Sequence, residues 1–185
     1  AGGGETKFTN DPPSSTTAII GYIKNEKNDI TLLVIADRDG TILSNDDFFG
    51  RTETWKKDME LNKPVFSILS YLKTKYKCTF VVVTNQQGVA RGYFTEDRVK
   101  EINAELTERL KPQGVVVKSW QYCPDVDQEY ANKHKEIQWK SKYNKKKTKR
   151  KPSTRMAEDA LKELGKSQKD FTGTVVFGDR EDDKK

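Results

Sequence analysis

A chain of 185 residues can bury one proper core and is short for two domains. Apolar and charged residues each make up 34% and mean hydropathy is −0.87, so a large wet surface is expected; no run approaches the roughly 20 apolar residues of a membrane-spanning helix. Two cysteines, Cys78 and Cys123, are too few and too far apart for a disulfide framework or a four-cysteine zinc site.

The net charge of +6 is local. The stretch 128–151 holds ten Lys or Arg against two Glu, a balance of +8, which leaves −2 for everything else. Residues 1–29 begin with small, polar and proline-containing sequence and are read as a flexible segment outside the fold, which is expected over 30–185. The basic-then-apolar pattern of a secretory signal is not seen, which points to a cytoplasmic protein, a nuclear location also being compatible.

In chain order, TLLVIA (Thr31 to Ala36) is short, β-branched and uncharged, and predicts a buried strand. It stops at Asp37 and Asp39, whose side chains point the same way because direction repeats every second residue along a strand. SNDDFFGRTETWKK then reads as a loop or short hairpin over the strand end. Pro64, Val65, Ile68, Leu69 and Leu72 form a helical stripe, and CTFVVVTN (Cys78 to Asn85) predicts a second buried strand. Thr95 can cap a helix with Glu96 and Asp97 in its first turn and Val99, Ile102, Leu106 and Leu110 on one face, ended by Lys111-Pro112. VVVKSW (Val115 to Trp120) is the third predicted strand. After the basic segment, Met156, Ala157, Ala160, Leu161 and Leu164 mark a helix stopped at Gly165, and TVVFGD (Thr174 to Asp179) is the fourth strand. Strands alternating with helices predict an α/β fold with a parallel sheet covered on both faces.

Such sheets bind ligands beyond the carboxyl ends of their strands. There the sequence puts Asp37 and Asp39, Thr84 and Asn85, and Asp179 with Asp182 and Asp183 close behind; Lys151 precedes the helix leading to the last strand. Unpaired carboxylates repel one another, so a cluster of them predicts a cation. Mg²⁺ suits the site, being hard and usually held by one or two carboxylates together with substrate phosphate and water.

These residues resemble the haloacid dehalogenase-like phosphatases over nearly the whole chain from Thr31 to Asp183. DRDGT, VVVTN, RKPS and GDREDD resemble the family's four motifs in order, and TNQQGVARGYF (Thr84 to Phe94) resembles its capless branch, which contains heptose bisphosphate phosphatase and histidinol-phosphate phosphatase. The resemblance implies a Rossmann-like three-layer sandwich and a Mg²⁺-dependent phosphomonoesterase acting on a small phosphorylated metabolite. It implies Asp37 as the nucleophile forming an aspartyl-phosphate and Asp39 as the acid and base. Thr84, with backbone N–H groups around Asn85, would hold phosphate oxygens, and Lys151 would pair with both Asp37 and the phosphoryl group. Mg²⁺ would be held by Asp37, the backbone carbonyl of Asp39 and Asp179, supported by Asp183. Arg91 and Arg150 are candidates for the rest of the substrate or a second phosphate.

Two departures stand out. Relatives often carry a Cys-x-His and Cys-x-Cys zinc site ahead of Arg-Lys-Pro; here Cys123 stays, but Asp125 stands for the histidine and Lys147 and Lys149 for the two cysteines. An ammonium has no lone pair to offer, so no zinc is expected, and His134 reads as a surface residue. The family also continues past its fourth motif, so the C-terminal end is expected to be incomplete. Two competing readings remain. In one, HKEIQWKSKYNKKKTKRK, within the basic segment 133–151, binds nucleic acid, its lysines following phosphates and Trp139 and Tyr143 stacking on bases, as a polynucleotide 3'-phosphatase would need. In the other, the fold is a binding module without catalysis.

Overall fold

The most apolar runs occupy the inner positions of one sheet, because a strand covered on both faces has no side for polar residues. The structure is a computed structural model that describes residues 6–7, 17–21, 30–45, 48–180 and 183. Its sheet contains β1 (Thr6–Lys7), β2 (Thr17–Gly21), β3 (Thr31–Ala36), β4 (Lys77–Asn85), β5 (Val117–Cys123) and β8 (Gly173–Gly178) in the order β1-β2-β8-β3-β4-β5. Strands β8, β3, β4 and β5 run parallel, and β3, in the middle, is paired on both sides. A separate small ladder joins β6 (Val126–Asp127) to β7 (Asn144–Lys145).

Alternation along β3 divides the core. Leu32 and Val34 face Val65 and Leu69 of α2 (Lys63–Lys75) together with Ile102, Leu106 and Leu110 of α3 (Glu96–Leu110). Leu33, from the opposite face, packs with Val81 and with Ala160 of α5 (Arg155–Glu163). Helices therefore cover both faces, the three-layer sandwich expected. Each large side chain so buried contributes roughly 1.5–3 kcal/mol. The Thr95 hydroxyl caps α3 by accepting the Arg98 N–H at 3.2 Å. Short helices α1 (Trp55–Asp58) and α4 (Gln128–Lys133) lie in the loops.

One expectation is corrected. The third strand is not Val115 to Trp120 but Val117–Cys123. Gly114 (φ 76°) turns the chain so that the Val115 N–H donates to the Leu110 carbonyl, and the valine side chain joins the core before the ladder begins. Beside the parallel strands the sheet carries an antiparallel edge drawn from two stretches within residues 1–29: β2 pairs antiparallel with β8, and β1 with β2. Thr-Ala-Ile-Ile-Gly is a good strand former, and the edge of β8 offers unpaired backbone groups to it. The rest of 1–29 lies outside the described residues. Among the described residues no helix is long and apolar enough to cross a membrane.

Candidate active site

The Asp37 N–H donates to the Phe177 carbonyl at 2.9 Å, so the last rung of the β3–β8 ladder places Asp37 at the carboxyl end of the sheet. Lys151 meets it there. Its Nζ is 2.6 Å from Asp37 Oδ1 and 2.5 Å from Asp183 Oδ1, and both aspartates are nearly buried. Asn85, at the end of β4, fixes the lysine's backbone: its Oδ1 accepts the Lys151 N–H at 2.9 Å and its Nδ2 donates to the Lys151 carbonyl at 3.3 Å. The Asn85 side chain thus holds Lys151 in place.

Asp37, Asp179 and Asp183 each offer a carboxylate oxygen, all within 4.8 Å of one another. The Oδ1 of Asp179 is buried with no hydrogen-bond partner among the described residues. Gly40 makes the approach possible: it has φ 77°, and a Cβ there would lie 2.4 Å from Asp179 Oδ2. An all-oxygen set with an orphaned buried oxygen fits a hard divalent cation.

The charges in the cluster are unbalanced. Burial pushes the Asp37 carboxyl from 3.8 up to about 6; Lys151 opposes the shift, while Asp183 and Asp39 add to it. Burial also raises Asp179. Burial by itself would lower the Lys151 ammonium, but Asp37 and Asp183 outweigh it and hold it above the usual lysine range.

Asp39 and Thr84 line the same cleft, with Phe48, Gln86, Gln87, Arg150 and Arg180. Buried Gln86 joins them, donating Nε2 to Asp39 Oδ2 at 2.7 Å and to Thr84 Oγ1 at 2.9 Å. Arg150 stands over the Tyr130 ring at 5.3 Å, and its Nη1 is buried without a partner among the described residues. Arg91 is set back from the cleft, its guanidinium lying over the rings of Phe48 at 4.9 Å and Trp139 at 5.0 Å. Phe48 has φ 63°, rare for a bulky residue, and its ring meets Tyr93 edge-on at 5.1 Å.

Sequence reasoning did not find Arg38, Gln86, Phe48 or Arg180. A signal existed for Arg38: a charge between two aspartates at the end of an apolar strand needs a buried partner. For Phe48 and Arg180 there was none, because loop residues reach the cleft only through the tertiary fold.

The basic segment is built differently from the surface that stacking on bases requires. Tyr143 is buried and donates its hydroxyl to Glu96 Oε1 at 2.8 Å; Tyr122 donates to Glu96 Oε2 at 3.1 Å. Trp139 donates its indole N–H to the His134 carbonyl and meets Tyr130 edge-on. With Val89, Ala90, Phe94, Val99 and Val126 these rings make a second small core that holds the loop. Lys145, Lys146 and Lys147 are exposed on its outside. Cys123 is fully buried against Met156 and Val83. His134 packs on Tyr130 and has Glu136 Oε1 3.1 Å from its Nδ1. Among the described residues, the one group of His, Cys, Asp or Glu placed to hold a metal is Asp37, Asp179 and Asp183.

No protein-family model matches the sequence. The D-glycero-beta-D-manno-heptose-1,7-bisphosphate 7-phosphatase of Haemophilus influenzae is 32% identical over 152 residues, covering 82% of this chain and 73% of the relative. The chain belongs to that family of haloacid dehalogenase-like phosphatases. A relative from Thermoplasma volcanium, a probable D-glycero-D-manno-heptose-1,7-bisphosphate 7-phosphatase, is 31% identical over 100 residues. The crystal structure of the D,D-heptose 1,7-bisphosphate phosphatase of B. bronchiseptica, complexed with magnesium and phosphate, superposes with a TM-score of 0.53 at 23% identity, over 72% of this chain. That likeness shows the fold. The chain spans 56% of the T. volcanium family member and 63% of the B. bronchiseptica chain.

Proposed function

We propose that the chain hydrolyses a phosphomonoester of a small sugar bisphosphate of the heptose type, by way of an aspartyl-phosphate on Asp37. The observation that carries this reading is Lys151 Nζ between Asp37 and Asp183, beside the Asp37–Asp179–Asp183 cluster, in a cleft at the strand ends. Asp37 Oδ attacks phosphorus as the bond to the leaving oxygen opens, and Asp39 protonates that oxygen. Asp39 then takes a proton from water as the water oxygen bonds to phosphorus and the acyl phosphate opens. Lys151 pairs with phosphoryl oxygens, and the Thr84 hydroxyl lies in the same cleft to donate to them. Mg²⁺, held by Asp37, the Asp39 carbonyl and Asp179 with Asp183 behind, would supply charge neutralisation between two anions. The unpartnered Nη1 of Arg150 suits a second phosphate on the substrate. Asn85 and Arg91 act from behind, one on Lys151 and the other on Phe48.

Phosphate release with Mg²⁺ on a panel of heptose and hexose bisphosphates, histidinol phosphate and 3'-phosphorylated oligonucleotide tests this. Preference for a sugar bisphosphate is expected. Release from none of them would overturn the reading.

A further inference from the structure

Arg38 sits between the two aspartates of the first motif, and strand alternation alone would turn it away from both. Its side chain is 0% exposed, and a guanidinium out of water requires partners for its donors. It has three close contacts. Nε donates to Asp39 Oδ1 at 2.8 Å, Nη2 to Asp39 Oδ2 at 3.0 Å, and Nη1 to Asn103 Oδ1, on α3, at 2.9 Å. The fork therefore grips the neighbouring carboxylate with both prongs while its third nitrogen is tied to a helix of the core. Gln86 grips the same carboxylate from the other side, through Oδ2.

A carboxylate presents about four lone-pair positions. On Asp39, Oδ2 accepts from Arg38 and Gln86 and Oδ1 accepts from Arg38 alone, so the position left open is on Oδ1. A planar bidentate fork also fixes the rotation of the carboxylate, which a single point charge would not.

We propose that Arg38 is the positioning residue for proton transfer by Asp39: with Gln86 it holds the carboxyl in one orientation and keeps Oδ1 open toward the leaving group. The inference rests on Asp39 being the acid of the reaction proposed above. As the bond from phosphorus to the leaving oxygen breaks, that oxygen keeps the electron pair and takes the proton from Oδ1. In the second half the same oxygen recovers a proton from the attacking water, so Asp39 ends as it began. Asn103 touches neither substrate nor Asp39 and acts only by anchoring the fork.

An alkoxide leaving group needs that proton, whereas p-nitrophenolate leaves readily without it. Arg38→Lys keeps the charge but not the fork, and should lower the single-turnover rate of sugar release from a sugar phosphate on the order of 100-fold, within the range general acid catalysis supplies. Both rates are read as single-turnover release of the leaving group, which reports aspartyl-phosphate formation and not the second half, where Asp39 acts as base on either substrate. Release of p-nitrophenolate should change little, a split that general loosening of the fold would not produce. Asp39→Asn is measured alongside. Selective loss in both variants supports the proposal. Selective loss in Asp39→Asn, with equal or no loss on the two substrates in Arg38→Lys, overturns the positioning role and leaves the acid standing. Unselective loss in Asp39→Asn overturns the acid reading, and the inference with it. Should Arg38→Lys fail to fold by circular dichroism, Asn103→Leu decides on the same ratio: a shift against the sugar phosphate supports the proposal, and an unchanged ratio overturns it.

Discussion

Asp37→Asn is expected to abolish phosphate release and yet to make the metal-free protein more stable at pH 8. Removing one partner of a buried ion pair ordinarily costs about 3–5 kcal/mol, because the other charge is left bare. Here the ammonium of Lys151 keeps Asp183 at 2.5 Å. The unfavourable partner is the carboxylate, which burial raises from 3.8 to about 6. Such a displacement corresponds to about 3 kcal/mol against the ionised form in the folded state. Because the folded value lies above the unfolded one, the penalty is absent below pH 3.8, grows up to about 6 and is complete above it. Asparagine keeps the shape and carries no charge, so the variant should gain about 1–3 kcal/mol at pH 8 and converge with the parent near pH 4. Urea denaturation in EDTA at the two pH values measures this, with phosphate release in Mg²⁺ as the activity assay. A loss of about 2 kcal/mol or more at pH 8 would refute the reasoning, since it would mean that the Lys151 pair outweighs the burial of Asp37. A gain equal at both pH values would refute it too.

Mg²⁺ added to EDTA-treated protein should raise Tm more at pH 8 than at pH 5, since protons compete for the raised carboxylates of Asp37 and Asp179; Asp179→Asn should remove most of that rise in calorimetry. Zn²⁺ should not restore activity lost to chelation, and metal analysis of protein purified without added metal should find no stoichiometric zinc. Tyr143→Phe, which leaves Glu96 Oε1 without that donor, should cost about 1 kcal/mol in urea denaturation. Tyr143→Ala, which also empties the small core under the basic loop, should cost about 3–5 kcal/mol. Replacing Lys145, Lys146 and Lys147 together by Gln should leave kcat/KM for a small sugar phosphate within about twofold, because exposed charges beyond about 8 Å are screened at physiological salt. Salt-sensitive turnover of a 3'-phosphorylated oligonucleotide that collapses in this variant would instead point to nucleic acid.

The parallel core of the sheet could be read from the sequence because its strands are buried on both faces. TLLVIA and CTFVVVTN leave few other ways to hide runs of four or five consecutive apolar residues. The antiparallel edge could not be read so: Thr17–Gly21 is a short run in polar surroundings, and only the open edge of β8 makes it a strand. The basic segment misled in a specific way. Lysines alternating with Trp139 and Tyr143 look like a surface for stacking and charge, but period alone does not say which side faces the core. Glu96 turns Tyr143 inward by accepting its hydroxyl, while Trp139 is half-buried, its indole N–H donating to the His134 carbonyl.

What the sequence determined by itself was the set of groups placed at the strand ends. A strand's direction settles that Asp37, Asp39 and Asp179 emerge just past the carboxyl ends of their strands, and the sheet then brings those ends together. Which groups touch was decided only by the tertiary structure. Lys151 bonds to Asp37 across 114 residues, Arg38 to Asn103 across 65 and Asn85 to the Lys151 backbone across 66. Hydrogen bonds at that separation depend on loop paths and side-chain rotamers, which have no period for a sequence to display. The roles of Asn85 and Arg38 follow from those contacts: each holds in place a residue whose chemistry was already legible.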